Sequence, residues 1–445
     1  MQGIKRTLLI VVSLLLLLCS GCGFDFNSAE KLLRAPKLTG EYGAIEQAFE
    51  AAVGRDVTLQ APRAGAFRTA YIMYDYDGDG ISEALVFYIA AADATTVRIH
   101  FLDYIHDSWV TCADIAGNEK NVYEIVFEDM DANGIPEIII SYDSKRTDRT
   151  MAVYNVVQTD SSGFQIDVLS AVQYTKYLCL DMDNDGCKEI FYTVFESSAD
   201  TGAVVPYVKI LKWTSDARGV HIGIAASLPL STGVSSVAAL QADTLGPQTR
   251  VYVDCMYLDA ATMITEVVAW LPESGYVLQL HKQDMPVLLK TSRNQSLFTQ
   301  DIDGDGLMEI PGEYELPGSE FENVAEGVIL VALCRNYYRC QSDGSLVICR
   351  GDYVEPTGKY TLDLVKIGCY GKICIVYDCL TNATTFYFYN ADTAEREERL
   401  FTLQLKDVNG ETNAFFDFSP TGSMLGLTPD SIMAALTMTE TEEKE

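Results

Sequence analysis

Histidine is nearly missing from this 445-residue chain, which holds only His100, His106, His221 and His281. Four scattered imidazoles leave little material for a transition-metal centre or a His-based catalytic triad. Basic residues are also short, with 32 Lys and Arg against 63 Asp and Glu, a formal charge of −31. That deficit argues against nucleic acid as a partner, because phosphates are gripped by Lys and Arg. It argues equally against a general electrostatic hold on anionic lipid. No G-x-S-x-G, no P-loop and no G-x-G-x-x-G leading from strand to helix occurs, so the common hydrolase and nucleotide signatures are missing too. What the chain has in excess is acid and apolar residues, the latter 48% of the total. This is enough for a core and too much for a disordered acidic chain, and it fits a protein that holds cations.

The N-terminus reads as an export signal. Lys5 and Arg6 precede the apolar run Leu8–Leu18, broken only by Ser13. That run is well short of the ~20 residues that span a bilayer, and suits the apolar region of a signal peptide. Ser20-Gly21-Cys22 follows and resembles the bacterial lipobox, with Cys19 standing where Leu is usual. The resemblance implies a signal peptide over 1–21, lipidation at Cys22, a tether over 22–36, and anchoring to the outer face of the bacterial cell membrane through lipid alone. Ten further cysteines occur, from Cys112 to Cys379, none in C-x-x-C spacing. Most fall in strand-like apolar runs, where Cys behaves as a small hydrophobe, so free buried thiols are expected.

Four segments organise the chain: Asp75-Tyr-Asp77-Gly-Asp79-Gly80-Ile81-Ser-Glu83, Asp129-Met-Asp131-Ala-Asn133-Gly134-Ile135-Pro-Glu137, Asp181-Met-Asp183-Asn-Asp185-Gly186-Cys187-Lys-Glu189 and Asp301-Ile-Asp303-Gly-Asp305-Gly306-Leu307-Met-Glu309. Each reads D-x-D-x-[DN]-G-x-x-E. The starts of the first three lie 54 and 52 residues apart, and the fourth follows 120 residues later. A decayed copy fills the gap at Gln241-Ala-Asp243-Thr-Leu-Gly246, where the first and fifth positions have become Gln241 and Leu245. It reads as a unit that kept its fold and lost its metal. The flanks, such as Thr69–Tyr74, Ala84–Ile89, Val122–Phe127 and Ile138–Tyr142, are short, β-branched and aromatic, as strands are. Thr96–Leu102 and Trp109–Ile115 add two more, giving about four strands per unit.

Carboxylates at positions 1, 3 and 5 converge in a tight turn that Gly at position 6 permits, position 7 can offer a carbonyl, and an acid at position 9 closes the sphere. Clustered hard oxygens suit Ca²⁺ better than Mg²⁺. Without a cation the acids would repel one another. An EF-hand needs Glu at position 12 and helical flanks. Position 12 here is Val86, Ile140, Tyr192 or Gly312, and the flanks are β.

The pattern resembles the FG-GAP/VCBS repeat, the blade type of integrin α-subunit propellers and of many bacterial surface proteins. The resemblance covers about residues 67–353. It implies up to four Ca²⁺, held by Asp75, Asp77, Asp79, Ile81 and Glu83; by Asp129, Asp131, Asn133, Ile135 and Glu137; by Asp181, Asp183, Asp185, Cys187 and Glu189; and by Asp301, Asp303, Asp305, Leu307 and Glu309, with the position-7 residues acting through their main chain. Glu at position 9 departs from the Asp usual in integrin loops.

The expected organisation is therefore mainly β, a β-propeller of four-stranded blades with five clear units and room for six or seven. A helix and linker occupy 37–66, with Ile45, Ala48, Phe49 and Ala52 at helical spacing. After about Glu355 no acidic loop recurs, and 355–437 reads either as a small C-terminal α+β domain or as degenerate final blades, followed by an acidic tail over 438–445. Strand-like runs there are Tyr360–Val365, Lys372–Tyr377, Thr384–Tyr389 and Phe401–Leu405, and Thr428-Pro429-Asp430 opens a helix. Arg350-Gly351-Asp352 matches the integrin-ligand tripeptide but ends a strand-like run. Trp109, Trp213 and Trp270 fall in different units, as core residues or as a sugar-stacking platform if several reach one face.

The function expected is a cell-surface lipoprotein whose calcium-stabilised propeller serves as a binding scaffold for an extracellular protein or glycan. The alternative is a secreted glycan-active hydrolase or lyase on the same scaffold, which requires a carboxylate pair outside the loops or a Lys/Arg-lined cleft on the funnel face. No catalytic residue is singled out.

Overall fold

The computed structural model describes residues 40–143, 149–158, 164–197, 202–216, 219–246, 248–257, 261–280, 285–408 and 411–439. The expected signal peptide, Cys22, the tether, His281 and most of the acidic tail lie outside the described residues. The protein is mainly β, and among the described residues its strands form six sheets. Sheet I contains Val57–Leu59, Tyr71–Tyr74, Glu83–Ala90, Asp93–Ile105 and Ser108–Ala116; sheet II contains Asn121–Glu128, Glu137–Asp143, Arg149–Gln158 and Phe164–Tyr174. Sheet III is built from Lys176–Leu180, Glu189–Ser197, Val204–Asp216 and Gly219–Pro229. Sheet IV takes Val234–Leu245, Gln248–Tyr257, Thr262–Leu271 and Gly275–Leu280, with Arg293–Asn294 on the side of the third strand. These four are antiparallel meanders, the order short hairpin connections impose.

The last two sheets interleave along the chain. Sheet V runs through Glu309–Glu315, Leu333–Cys340, Leu346–Val354 and Tyr360–Asp363 and ends with Leu436–Met438. Sheet VI runs through Ile373–Asp378, Ala383–Asn390, Glu395–Val408 and Glu411–Phe418, with Glu320–Glu322 added in parallel at its first strand. Strands from both sides of position 355 therefore share one sheet.

One strand in each of the first four sheets shows why its sequence does not alternate. Ala84–Ile89, Ile138–Tyr142, Glu189–Val194 and Gln248–Cys255 are buried residue after residue. Each such strand has a packed layer on both faces, so every side chain is inward-facing. Leu85 and Phe87 join Ile138 and Ile140 in the core between sheets I and II, while Ile139 turns the other way to meet Ile190 and Tyr192 of sheet III. Further cores join sheets III, IV and V, and sheets V and VI. The sheets thus stack in chain order.

The two ends of the stack are finished differently. Helix α1, Glu41–Val53, buries Ile45 and Phe49 on Ala84, Val86, Tyr88 and Leu102, the face of sheet I turned away from sheet II. The outward face of sheet VI is polar: Thr385 bonds Thr402 at 3.0 Å, Arg399 pairs with Asp417 at 2.7 Å, and Arg396 lies over the Tyr387 ring. Among the described residues no core cluster joins sheet VI to sheet I. A polar outer face is what a terminal unit of a stacked array needs to stay in water.

The helix expected over 44–53 is present, one turn longer at its start. Thr428 caps Pro429–Ala435 through a capping box with Ser431. The ten described cysteines are free thiols. The three tryptophans pack against three different cores, Trp109 with α1, Trp213 between sheets II and III, and Trp270 in the core shared by sheets III, IV and V, so they do not form one platform.

Candidate metal centres

The four acidic loops occupy equivalent places: three are turns joining Tyr71–Tyr74 to Glu83–Ala90, Asn121–Glu128 to Glu137–Asp143 and Lys176–Leu180 to Glu189–Ser197, and the fourth leads from Gln300 into Glu309–Glu315, the first strand of sheet V. Each is closed by one rung that pairs the residue before position 1 with the Glu at position 9: Tyr74 with Glu83, Glu128 with Glu137, Leu180 with Glu189, and Gln300 with Glu309. In the fourth loop this rung is an isolated bridge rather than part of a strand.

Inside each loop the backbone is held by its own acids. The N–H of the position-6 glycine donates to the position-1 carboxylate, Gly80 to Asp75 at 3.0 Å, Gly134 to Asp129 at 2.9 Å, Gly186 to Asp181 at 3.0 Å and Gly306 to Asp301 at 2.8 Å. Those glycines have φ between 87° and 91°, a bend only glycine adopts freely. The position-7 residues Ile81, Ile135, Cys187 and Leu307 donate their N–H to the position-5 side chains Asp79, Asn133, Asp185 and Asp305.

Position 2 is a residue that acid spacing alone does not mark. Tyr76, Met130 and Met182 are fully buried, each in a different inter-sheet core, so the loop is pinned by an apolar side chain between two ligating acids. Their N–H groups, with that of Ile302, donate to Oε2 of the position-9 glutamates at 2.8–3.0 Å. The signal was in the sequence: Tyr, Met, Met and Ile at position 2.

These contacts bring carboxylates together. Oxygens of Asp75, Asp77, Asp79 and Glu83 lie within 4.8 Å of one another, as do those of Asp129, Asp131 and Glu137, of Asp181, Asp183 and Glu189, and of Asp301, Asp303 and Glu309. Asp185 and Asp305 stand outside their clusters; each faces a basic side chain instead. Lys212 Nζ is 2.7 Å from Asp185 and 3.0 Å from Glu189 and also pairs with Asp183. Arg339 is 2.9 Å from Asp305, 3.4 Å from Asp303 and hydrogen-bonds Glu309.

The position-9 glutamates test whether a cation fits. All four are fully buried. In Glu83, Glu137 and Glu189 the second oxygen, Oε1, has no hydrogen-bond partner, but only in Glu189 does an ammonium, Lys212 Nζ, lie beside it, at 3.0 Å. A buried carboxylate oxygen turned into a cluster of acids is costly unless a cation meets it. The cost appears in their protonation. Burial pushes the Glu83 carboxyl up to about 8, aided by Asp77, Asp75 and Asp79 and opposed by the Tyr76 N–H. The Glu137 carboxyl is pushed up to about 7, again chiefly by burial. Burial works against the charge of Lys212, yet hydrogen bonds to Asp183, Asp185 and Glu189 hold its pKa well above the ordinary lysine value. Hard oxygens in this number, with no sulfur or imidazole among their side chains, fit Ca²⁺.

The decayed unit solves the same charge problem with protein atoms. The loop has zipped into extra rungs, Asp243 opposite Arg250 and Leu245 opposite Gln248. Asp243 accepts from Arg250 Nε and Nη2 at 2.8 and 2.9 Å, from Tyr252 Oη at 2.9 Å and from Met308 N at 2.8 Å. That last bond ties the unit to the fourth loop. Lys188 N donates to Met130 O at 2.8 Å, tying the third loop to the second.

The remaining candidates are structural. Arg350 and Asp352 pair with each other at 2.9 Å on a strand of sheet V, with Asp352 buried, so that tripeptide is not presented on a loop. His100 is buried under Phe49, with Nδ1 2.9 Å from Asp114 and Nε2 3.0 Å from Thr111. Asp114 is also taken by Arg98 and Tyr88, a network that fixes sheet I beneath α1. No protein-family model and no curated protein matches the chain.

Proposed function

We propose that the six sheets are the blades of a propeller-like array stapled by calcium at four acidic turns, and that the array is the rigid binding scaffold of an exported, lipid-anchored protein. The observation that carries the calcium reading is the pair of fully buried glutamates, Glu83 and Glu137, whose Oε1 atoms lack a protein partner inside acidic clusters. Calcium bound there supplies charge neutralisation rather than a reaction step, with affinity of about 10⁻⁴–10⁻³ M typical of extracellular modules. Asp75, Asp77, Asp79 and Glu83 supply the first site, and the loops beginning at Asp129, Asp181 and Asp301 supply its equivalents.

The scaffold reading is supported by sheets locked through buried cores, which leave inter-strand loops to carry recognition. The partner is an extracellular glycan or protein, with the membrane met through lipid at Cys22 and no nucleic acid involved. Isothermal titration of Ca²⁺ into chelator-treated full chain tests the first part: saturable binding is expected, and its absence ends the calcium reading. A glycan and protein binding screen, run in calcium and again in chelator, tests the second. Ligands retained only in calcium support a scaffold; turnover of a bound glycan instead supports the glycan-active alternative.

A further inference from the structure

The four loops are nearly superimposable in their hydrogen bonds, yet the residue facing the position-9 glutamate across the sheet differs in each. The register fixes that neighbour. Ala84 pairs with Leu102, so the next rung sets Glu83 beside Asp103. Ile138 pairs with Tyr154, which sets Glu137 beside Asn155. Ile190 pairs with Leu211, which sets Glu189 beside Lys212, and Glu309 pairs directly with Arg339. One strand position thus carries an acid, an amide, an ammonium and a guanidinium in turn.

The consequences at the clusters follow this series. In the first loop all four acids converge, and Asp103 is itself buried. In the second, Asn155 adds no charge and no cation of the protein pairs with Glu137 Oε1, whereas Glu189 Oε1 of the third has Lys212 at 3.0 Å. In the third and fourth, Lys212 and Arg339 each reach three acids of the loop, the position-5 aspartate among them. A cation on the protein and a cation from solution compete for the same oxygens, and bringing Ca²⁺ in requires breaking those ion pairs.

We propose that this cross-strand residue ranks the loops as calcium sites: the loops facing Asp103 and Asn155 take the ion tightly, and Lys212 and Arg339 reserve the other two for higher concentrations. The inference rests on the calcium reading above. In sheet IV the cation comes from a different place, the strand Gln248–Tyr257 itself, where Arg250 is buried on Asp243.

Equilibrium dialysis of the chelator-treated full chain against radioactive Ca²⁺ counts the ions. Two are expected to bind first, separated from the rest by roughly tenfold or more in concentration, the factor that about 1.4 kcal/mol produces. Lys212→Asn and Arg339→Asn should each move one ion into the tight class, while Asn155→Lys should remove one. Four equivalent ions in the unaltered chain, a measurement that needs no variant, overturn the ranking and leave the calcium reading standing. A tight class unchanged by Lys212→Asn overturns it equally. No bound ion at all overturns both.

Discussion

Arg250 donates through Nε and Nη2 to the two carboxylate oxygens of Asp243, and neither side chain is exposed to solvent. The pair stands one unit beyond the third acidic loop and directly beside the fourth, where Gln241 and Leu245 stand in place of the first and fifth acids of the loops. A bidentate guanidinium there does what a divalent ion is proposed to do in the neighbouring units: it neutralises a buried acid while cross-linking adjacent strands.

Removing that cation should therefore be expensive. Arg250→Met leaves Asp243 buried beside Tyr252 and the Met308 N–H with no countercharge. A loss of about 3–5 kcal/mol is expected from breaking one side of a buried pair. Urea unfolding in saturating calcium measures it. Asp243→Asn combined with Arg250→Met should recover part of the loss, because no lone charge then remains.

Ala132 occupies position 4 of the second loop with φ 59°, where the equivalent residues are Gly78, Asn184 and Gly304. A side chain in the left-handed region costs about 1–2 kcal/mol relative to glycine. Ala132→Gly should raise stability by about 1 kcal/mol once the larger backbone freedom of unfolded glycine is subtracted. The midpoint of chemical unfolding reads this directly.

Stability without metal should fall as pH rises. Glu83 and Glu137 have folded pKa values of about 8 and about 7 against an ordinary value of 4.5, raised mainly by burial. The folded chain therefore holds protons that the unfolded chain releases, and by linkage its stability is greatest below about 4.5 and is lost as pH climbs through 7 to 8. Calcium favours the ionised carboxylates and should flatten that slope, with protons released on binding near neutral pH. Melting curves from pH 5 to about 9, with and without chelator, give the comparison; parallel profiles would remove the glutamates as its cause.

Glu83→Gln should change sign with the metal. At about pH 9 in chelator it removes a buried charge lacking a partner on Oε1 and should raise the melting temperature. In calcium it removes a ligand of the first loop and should lower it. A variant that moves the same way in both conditions contradicts the role assigned to that oxygen.

Local spacing made the loops legible. Acids two apart followed by glycine need no partner elsewhere in the chain, and Ile45 and Phe49 announced α1 for the same reason. The cations were not legible, because Lys212 lies 23 residues beyond Glu189 and Arg339 lies 30 beyond Glu309, distances set by hairpin lengths and register. Sheet VI had no acidic loop to mark it. Sheet V recruits Leu436–Met438 across an intervening sheet, a pairing that no local pattern encodes. The mainly β character was legible throughout, since strands buried on both faces need continuous β-branched and aromatic runs.

The central claim is that a divalent ion completes the acidic turns and thereby stabilises the stacked sheets. Thermal unfolding of the full chain at about pH 7.5, followed by circular dichroism in millimolar calcium and then in excess chelator, tests it most directly. A transition several degrees higher in calcium is expected, rising further as calcium is increased. Superimposable curves in the two buffers would contradict it.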